Sequence, residues 1–318
     1  MYISPASFFN WKDPRIIVDI RPSGSFAKGS FSGAKSIPKE NFEELSDFIA
    51  VIKSLHNVNP VHIIDQCGEI SDLIKEEGNL ACLKGGYNAF KIWREEAFLN
   101  GPPIAIIAGK TGCGKSENLK KLSEMGKQVI DLESCAMHRG SVFGALDEEQ
   151  PSHEDFQNGL LTRWLHLNSN SPVWVEEKGP NLGSVGLPET LFKKLCHSIF
   201  IELEIPFAVR LQHIIEEYTV IDNKKFLDCL KKLEKRMGVS TNHKCIHYFK
   251  SGQLEKCFML LLMYYDKAYD NKRKIYEPYK IVKVPPLIFE NEDEVKKLEE
   301  QVTYDFAKKD PAVLPQGL

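Results

Sequence analysis

Several things are missing from this 318-residue chain, and each absence removes a class of protein. There is no long apolar stretch: the longest run near the C-terminus, Phe258 to Met263, falls far short of the ~20 residues a bilayer-spanning helix requires. The opening MYISPASFFNWKDP has no basic segment followed by an apolar one, so no secretory leader is expected. Eight cysteines, at 67, 82, 113, 135, 196, 229, 245 and 257, contain no CxxC pair, which argues against both a zinc site and a disulfide framework. A reduced, cytoplasmic protein without membrane contact and without a bound structural metal is the expectation. Excess basic charge is also absent. With 41 Lys+Arg against 44 Asp+Glu the net charge is −3, so any contact with a polyanion must come from a local patch. Gly 21 and Pro 17 are ordinary, no repeat or low-complexity tract is visible, and a disordered or collagen-like chain is excluded.

What is present suffices for two domains with real cores, since 42% of residues are hydrophobic and 10% aromatic. In the first hundred residues the compact apolar runs Ile16 to Ile20 and Val61 to Ile64 flank a helical stretch around Asn41 to Leu55. Cys82-Leu83 then leads through Gly85-Gly86 into a second helical stretch, Tyr87 to Phe98. This alternation predicts a small α/β domain with parallel strands. Asn100-Gly101-Pro102-Pro103 is the strongest punctuation in the chain, because paired prolines cannot continue a helix, and it places a boundary between domains 1–100 and 101–318. Beyond it Ile104 to Ala108, Gln128 to Ile130 and Pro172 to Val175 read as strands of a second α/β unit. From about Arg210 the pattern turns helical, with Lys224 to Met237 and Leu254 to Tyr265 amphipathic.

The second domain opens on the clearest chemical signal. Gly109-Lys110-Thr111-Gly112-Cys113-Gly114-Lys115-Ser116 fits GxxxxGK[ST] at every fixed position, directly after the strand IAIIA and before the helix-compatible ENLKKLSEM. Glycines there let successive backbone N–H groups curl around a phosphate at a helix N-terminus. Lys115 would reach the outer phosphate and Ser116 would ligate Mg²⁺ if the metal is used. The acidic partner such a loop needs could be Asp131 after QVI, or Glu176 or Glu177 after VWV; neither site has the standard apolar run ending in Asp, which weakens an ATPase reading.

Val18-Asp19-Ile20-Arg21, with Phe26 to Pro38, resembles the opening of rhodanese-like domains, and Leu83-Lys84-Gly85-Gly86-Tyr87 resembles their closing element. Joined to a P-loop domain, these features are similar to those of the tRNA 2-selenouridine synthase family. His138-Arg139-Gly140-Ser141 with Phe143-Gly144, then Gln150-Pro151-Ser152, Val175-Glu176-Glu177, Gly183, Leu187-Pro188-Glu189 and finally Tyr264-Tyr265-Asp266 with Tyr269, fall in that family's order and spacing. The resemblance implies an N-terminal rhodanese-like α/β domain followed by a P-loop NTPase-like α/β domain with a helical C-terminal part. The rhodanese loop departs from the pattern. Aligned on Gly68 and Ser71, it places Asp65 where the nucleophilic cysteine belongs and Ile70 where an arginine belongs, with Cys67 two residues later. Cys67 therefore either takes over as the chalcogen-carrying thiol or the domain has ceased to carry sulfur or selenium.

The resemblance further implies a chemistry: geranylation of wobble 2-thiouridine in tRNA from geranyl diphosphate, then replacement of sulfur by selenium from selenophosphate, supplied by a partner enzyme. Gly109, Gly112, Cys113, Gly114, Lys115 and Ser116 would cradle the diphosphate, and Cys67, Lys115, His138 and Arg139 are the catalytic candidates. Lys231, Lys232, Lys235 and Arg236, spaced to share one helix face, would bind tRNA phosphates, and Tyr264, Tyr265 and Tyr269 are candidates for stacking on bases. The competing expectation is a P-loop small-molecule kinase or ATPase carrying a rhodanese-like binding module.

Overall fold

The computed structural model describes residues 1–55, 59–69, 80–138, 149–218 and 223–309. The chain is α/β throughout and divides into two compact units. One comprises Met1–Asn100 with Pro151–Leu165 and Ser184–Leu191; the other comprises Gly101–Gln150, His166–Gly183 and Phe192–Leu318.

In the first unit β1 (Tyr2–Ile3), β2 (Ile16–Asp19), β3 (Lys35–Ser36), β4 (Val61–Ile64) and β5 (Leu80–Leu83) form one sheet in the order β1-β5-β4-β2-β3. All its pairings are parallel. Every residue of β4 and β5 is buried, and strands covered on both faces read as unbroken apolar runs. Val18, Ile20, Val61, Ile63, Leu80 and Cys82 pack with Phe48 and Ile52 of the helix Leu45–Ser54. Gly86, at φ +64°, begins the helix Gly86–Ala97 hard against the loop after β4; a Cβ there would lie 2.6 Å from Cys67 N.

Two buried polar knots hold this unit. Arg21 grips Asp19 through Nε and Nη2 at 2.9 and 2.6 Å, Ser30 Oγ donates to the same carboxylate, and the guanidinium stacks 3.7 Å from the Tyr87 ring centroid. Arg94 is likewise buried and donates to Glu154, Asn158 and Gln157 at 2.9, 2.7 and 2.5 Å, all on the helix His153–Leu165. Desolvating a guanidinium is costly unless its donors are met; the helix His153–Leu165 meets both Nη groups of Arg94 though not Nε, which explains why a segment from the middle of the chain belongs with its beginning.

The second unit has β6 (Ile104–Ala108), β7 (Gln128–Ile130) and β8 (Val173–Glu176) as anticipated. Short strands β9 (Asn181–Leu182) and β10 (Val185–Gly186) come next in the chain, then β11 (Ile199–Leu203) and β12 (Lys280–Val284). The sheet order is β12-β11-β6-β8-β7, parallel throughout. Helices Phe207–Tyr218, Asn223–Met237, Val239–Lys250 and Leu254–Lys272 gather around Leu211, Phe226, Leu230, Cys245, Phe258 and Leu262. The part beyond Arg210 is mainly helical, as expected, with one strand added. Lys280-Ile-Val-Lys-Val returns to the sheet as an edge strand, its lysines keeping that edge polar, and the helix Glu292–Lys309 covers the core with Val295, Leu298 and Val302. Among the described residues no helix is long and apolar enough to cross a membrane.

Candidate phosphate site

The loop Gly109–Gly114 leaves the C-terminal end of β6 and enters the helix Lys115–Glu124, the place in a parallel sheet where ligands bind. Two of its glycines are dictated by close approach. Gly109 sits at φ +144° and an added Cβ would lie 2.8 Å from Cys113 Sγ; at Gly112, φ +80°, it would lie 2.8 Å from Arg210 O. Lys115 arches back over the loop, donating to Gly109 O at 2.6 Å and more weakly to Lys110 O at 3.4 Å. Among the described residues its contacts are carbonyls and the Cys113 sulfur, while the carboxylates of Glu176 and Glu177 act on it from longer range.

Of the three candidate carboxylates, Glu176, at the end of β8 beside β6, is the one in contact with Ser116. Ser116 Oγ donates to Glu176 Oε2 at 2.8 Å, and Lys178 Nζ donates to the other oxygen at 2.8 Å while also pairing with Glu133. Burial pushes the Glu176 carboxyl up, but Lys178 and Lys115 outweigh it and hold it below the ordinary range, hence ionised. Burial likewise favours the neutral form of Lys178, and Glu176 and Glu133 reverse it. Asp131, the other candidate, accepts from Ser134 N at 2.9 Å and caps the short helix Leu132–Cys135. Ser116 and Glu176 offer the hard oxygen donors that Mg²⁺ prefers.

Glu177 turns to a different set of partners. Tyr269 Oη donates to it at 2.7 Å, Arg273 lies 3.6 Å away, and burial still pushes its carboxyl up. On the same helix as Tyr269, one turn earlier, Asp266 takes both Nη atoms of the buried Arg210 at 2.8 and 2.7 Å; Arg210 Nη1 also donates to Thr111 O at 3.0 Å. Asp266 and Tyr269, three apart and therefore neighbours on one helix face, thus brace the phosphate loop and Glu177. Of the tyrosines expected to stack on bases, Tyr269 is committed internally, and Tyr264 and Tyr265 are half-buried against the helical core. Arg210 and Lys178 had no signal in the sequence, since no motif contains them.

The remaining candidates are spread out. Cys113 is buried beneath the loop, its thiol raised by burial, so at this position only the backbone faces a ligand. His138 follows the turn at Met137 (φ +49°), and its N–H donates to Glu133 O at 3.0 Å; a Cβ on Gly183 would lie 2.7 Å from its ring and 2.1 Å from Gln150 Oε1. Gln150 in turn donates to Ala136 O and Leu182 O at 2.9 and 3.0 Å, so the QPS element clamps this turn. Arg139, Ser141, Phe143 and Gly144 lie outside the described residues, as do Ile70 and Ser71. Lys231, Lys232, Lys235 and Arg236 are all exposed on the helix Asn223–Met237, with Lys231 paired to Asp228 at 2.9 Å.

In the first unit Asp65 is buried, and its Oδ1 accepts the Gly68 N–H at 2.8 Å. The carboxylate thus sits inside the loop that follows β4. Cys67 is exposed, and local desolvation together with the carboxylates of Glu69 and Asp65 raises its thiol. It is the one exposed cysteine among the eight.

A profile of the tRNA 2-selenouridine synthase AAA domain matches residues 102–283, more than half of the chain. The chain is 36% identical over 142 residues to the tRNA 2-selenouridine synthase of Nitrosomonas europaea, covering 43% of this chain and 37% of that one. With the namesake protein of a Sulfurovum species the identity is 28% over 324 aligned positions, covering 80% and 87%. With that of Bdellovibrio bacteriovorus it is 27% over 247 positions, covering 64% of each. The chain thus spans nearly all of one relative, under two thirds of another and little over a third of a third. No solved structure matches.

Proposed function

The chain belongs to the family marked by the tRNA 2-selenouridine synthase AAA domain, and from that premise we propose that it is a tRNA-modifying transferase whose loop Gly109–Ser116 holds the diphosphate of geranyl diphosphate. The wobble 2-thiouridine sulfur attacks the allylic carbon, a C–S bond forms as the C–O bond breaks, and diphosphate leaves into the loop. Negative charge grows on the departing oxygens, and donors already aimed at that position lower the barrier because they need not reorganise. The observation that carries this reading is Lys115, folded over the loop with its ammonium hydrogen-bonded to the loop's own carbonyls. Ser116 and Glu176 would hold Mg²⁺, which would neutralise charge on the diphosphate. His138 and Arg139 are further proposed partners of the reacting groups. Selenium from selenophosphate then bonds to the base carbon as its C–S bond breaks and geranylthiol leaves, the phosphoryl group passing to water as phosphate; Cys67, an exposed thiol, is the proposed carrier. Exposed Lys231, Lys232, Lys235 and Arg236 supply contacts to tRNA phosphates.

The Ser116–Glu176 contact also favours a second reading, an ATPase or small-molecule kinase, because a hydroxyl and a strand-end carboxylate side by side is how such loops hold Mg²⁺ beside a nucleotide. Mass spectrometry of digested 2-thiouridine tRNA, after incubation with geranyl diphosphate with and without selenophosphate, separates the two. A geranylated nucleoside that vanishes in Lys115→Ala supports the transferase. No new nucleoside, together with Lys115-dependent Mg²⁺·ATP turnover, supports the kinase or ATPase.

A further inference from the structure

Lys178 stands two residues after Glu176, where the chain leaves β8, and it is held at both ends. Its carbonyl accepts from Tyr276 Oη at 2.5 Å, while its ammonium bridges Glu176 Oε1, at 2.8 Å, and Glu133, on the short helix that follows β7. Only 17% of the Lys178 side chain is exposed, with 7% of Glu176 and 18% of Glu133, so this is a fixed internal cation and not a solvated surface lysine. We propose that Lys178 is a positioning residue that sets the metal dependence of the phosphate loop: by neutralising Glu176 from behind, it lets the loop take a metal-free diphosphate nearly as well as a magnesium-bound one. The inference rests on the loop being a diphosphate site.

The charges on this flank of the loop support it. Among the described residues, the carboxylates of Glu133 and Glu176 are met by the ammonium groups of Lys178 and Lys115. Asp131 adds a carboxylate at the exposed margin, and Glu177 turns away to Tyr269 and Arg273. Without Lys178, Glu133 and Glu176 would face Lys115 alone, and an arriving polyanion would need a divalent cation to offset them. The chain supplies that offset itself.

The two oxygens of Glu176 are also divided. Oε2 accepts from Ser116 and Oε1 from Lys178. A Mg²⁺ held by Ser116 and Oε2 must therefore share its carboxylate with an ammonium, and like-charge repulsion weakens the metal while leaving its oxygen donors in place. A diphosphate that arrives without metal thus gains relative to Mg²⁺·ATP.

Calorimetric titration of the full chain with inorganic diphosphate, once in EDTA and once in excess Mg²⁺, tests this in the wild type, Lys178→Gln and Glu133→Gln. The wild-type affinities under the two conditions should agree within about threefold. One unit charge beside an anion, at an effective dielectric of ~20, is worth roughly tenfold. Lys178→Gln should therefore weaken metal-free binding about tenfold and recover most of it in Mg²⁺. Glu133→Gln, which leaves Lys178 with one carboxylate fewer, should move the opposite way, with metal-free binding tightened and the gain from Mg²⁺ abolished. A merely structural role would shift both variants in the same direction under both conditions, and that result overturns the proposal. Should Lys178→Gln fail to fold, the wild-type comparison and Glu133→Gln decide. Wild-type binding that improves 100-fold or more with Mg²⁺ overturns the role of Lys178 and leaves the diphosphate reading standing, whereas no diphosphate binding under either condition overturns both.

Discussion

At the scale of single residues, Lys115 Nζ lies 2.6 Å from Gly109 O, a contact a bound anion would replace. A charge-assisted hydrogen bond contributes ~1.5–3 kcal/mol, so Lys115→Ala should weaken inorganic diphosphate binding by ~10- to 100-fold in a calorimetric titration; unchanged affinity would place the anion elsewhere. Cys67 gives a pH test. Its thiol is raised above the ordinary cysteine range, so little thiolate exists at neutral pH and alkylation by iodoacetamide should accelerate steadily as pH rises past 9. A rate that levels off near pH 7 would mean a low-pKa, carrier-like thiol. His62 gives another. It is buried against Arg15 and Trp11, and desolvation, with Arg15 adding to it, lowers its pKa from 6.5 to about 4. The unfolded chain then binds a proton that the folded chain refuses. This contribution to stability is complete above pH 6.5 and is lost as pH falls toward 4. Thermal melts at pH 7 and pH 5 should show a smaller acid-induced drop in His62→Gln than in the wild type.

At the scale of elements, the helix Leu254–Lys272 is the brace of the site. Asp266 holds Arg210, which holds Thr111 O, and Tyr269 holds Glu177. Removing one partner of a largely buried ion pair strands the other, so Asp266→Ala should cost about 3 kcal/mol of stability in chemical denaturation. It should also weaken diphosphate binding more than Tyr269→Phe does; equal, negligible losses would show that the brace is idle. How much of this was legible follows from what each signal reports. The strands β2, β4, β6, β7 and β8 stand where periodicity put them, because buried parallel strands are short apolar runs. β12 escaped, since KIVKV is a half-exposed edge strand paired with a segment some eighty residues earlier, and nothing local reveals that register. The phosphate loop could be read from its own spacing. The choice of Glu176 over Asp131 could not, because both are carboxylates at strand ends and only the sheet order places β8, and not β7, beside β6.

At the scale of the whole molecule, a net charge of −3 coexists with an exposed basic face on the helix Asn223–Met237. If that face contacts tRNA phosphates, affinity must fall with salt. Replacing Lys231, Lys232, Lys235 and Arg236 together by Ala should flatten the log–log salt dependence by ~0.7–0.9 for each phosphate no longer neutralised, while an unchanged slope would move the tRNA footprint elsewhere. The two units carry different candidates: the second holds the loop Gly109–Ser116, the first the buried Asp65 and the exposed Cys67. The most direct test of the transferase reading is the inventory of small products. Purified protein given 2-thiouridine tRNA and geranyl diphosphate should release one inorganic diphosphate per thiouridine consumed, without ATP, and Lys115→Ala should release none. Lys115-dependent release of phosphate from ATP, with no diphosphate formed from geranyl diphosphate, would contradict it.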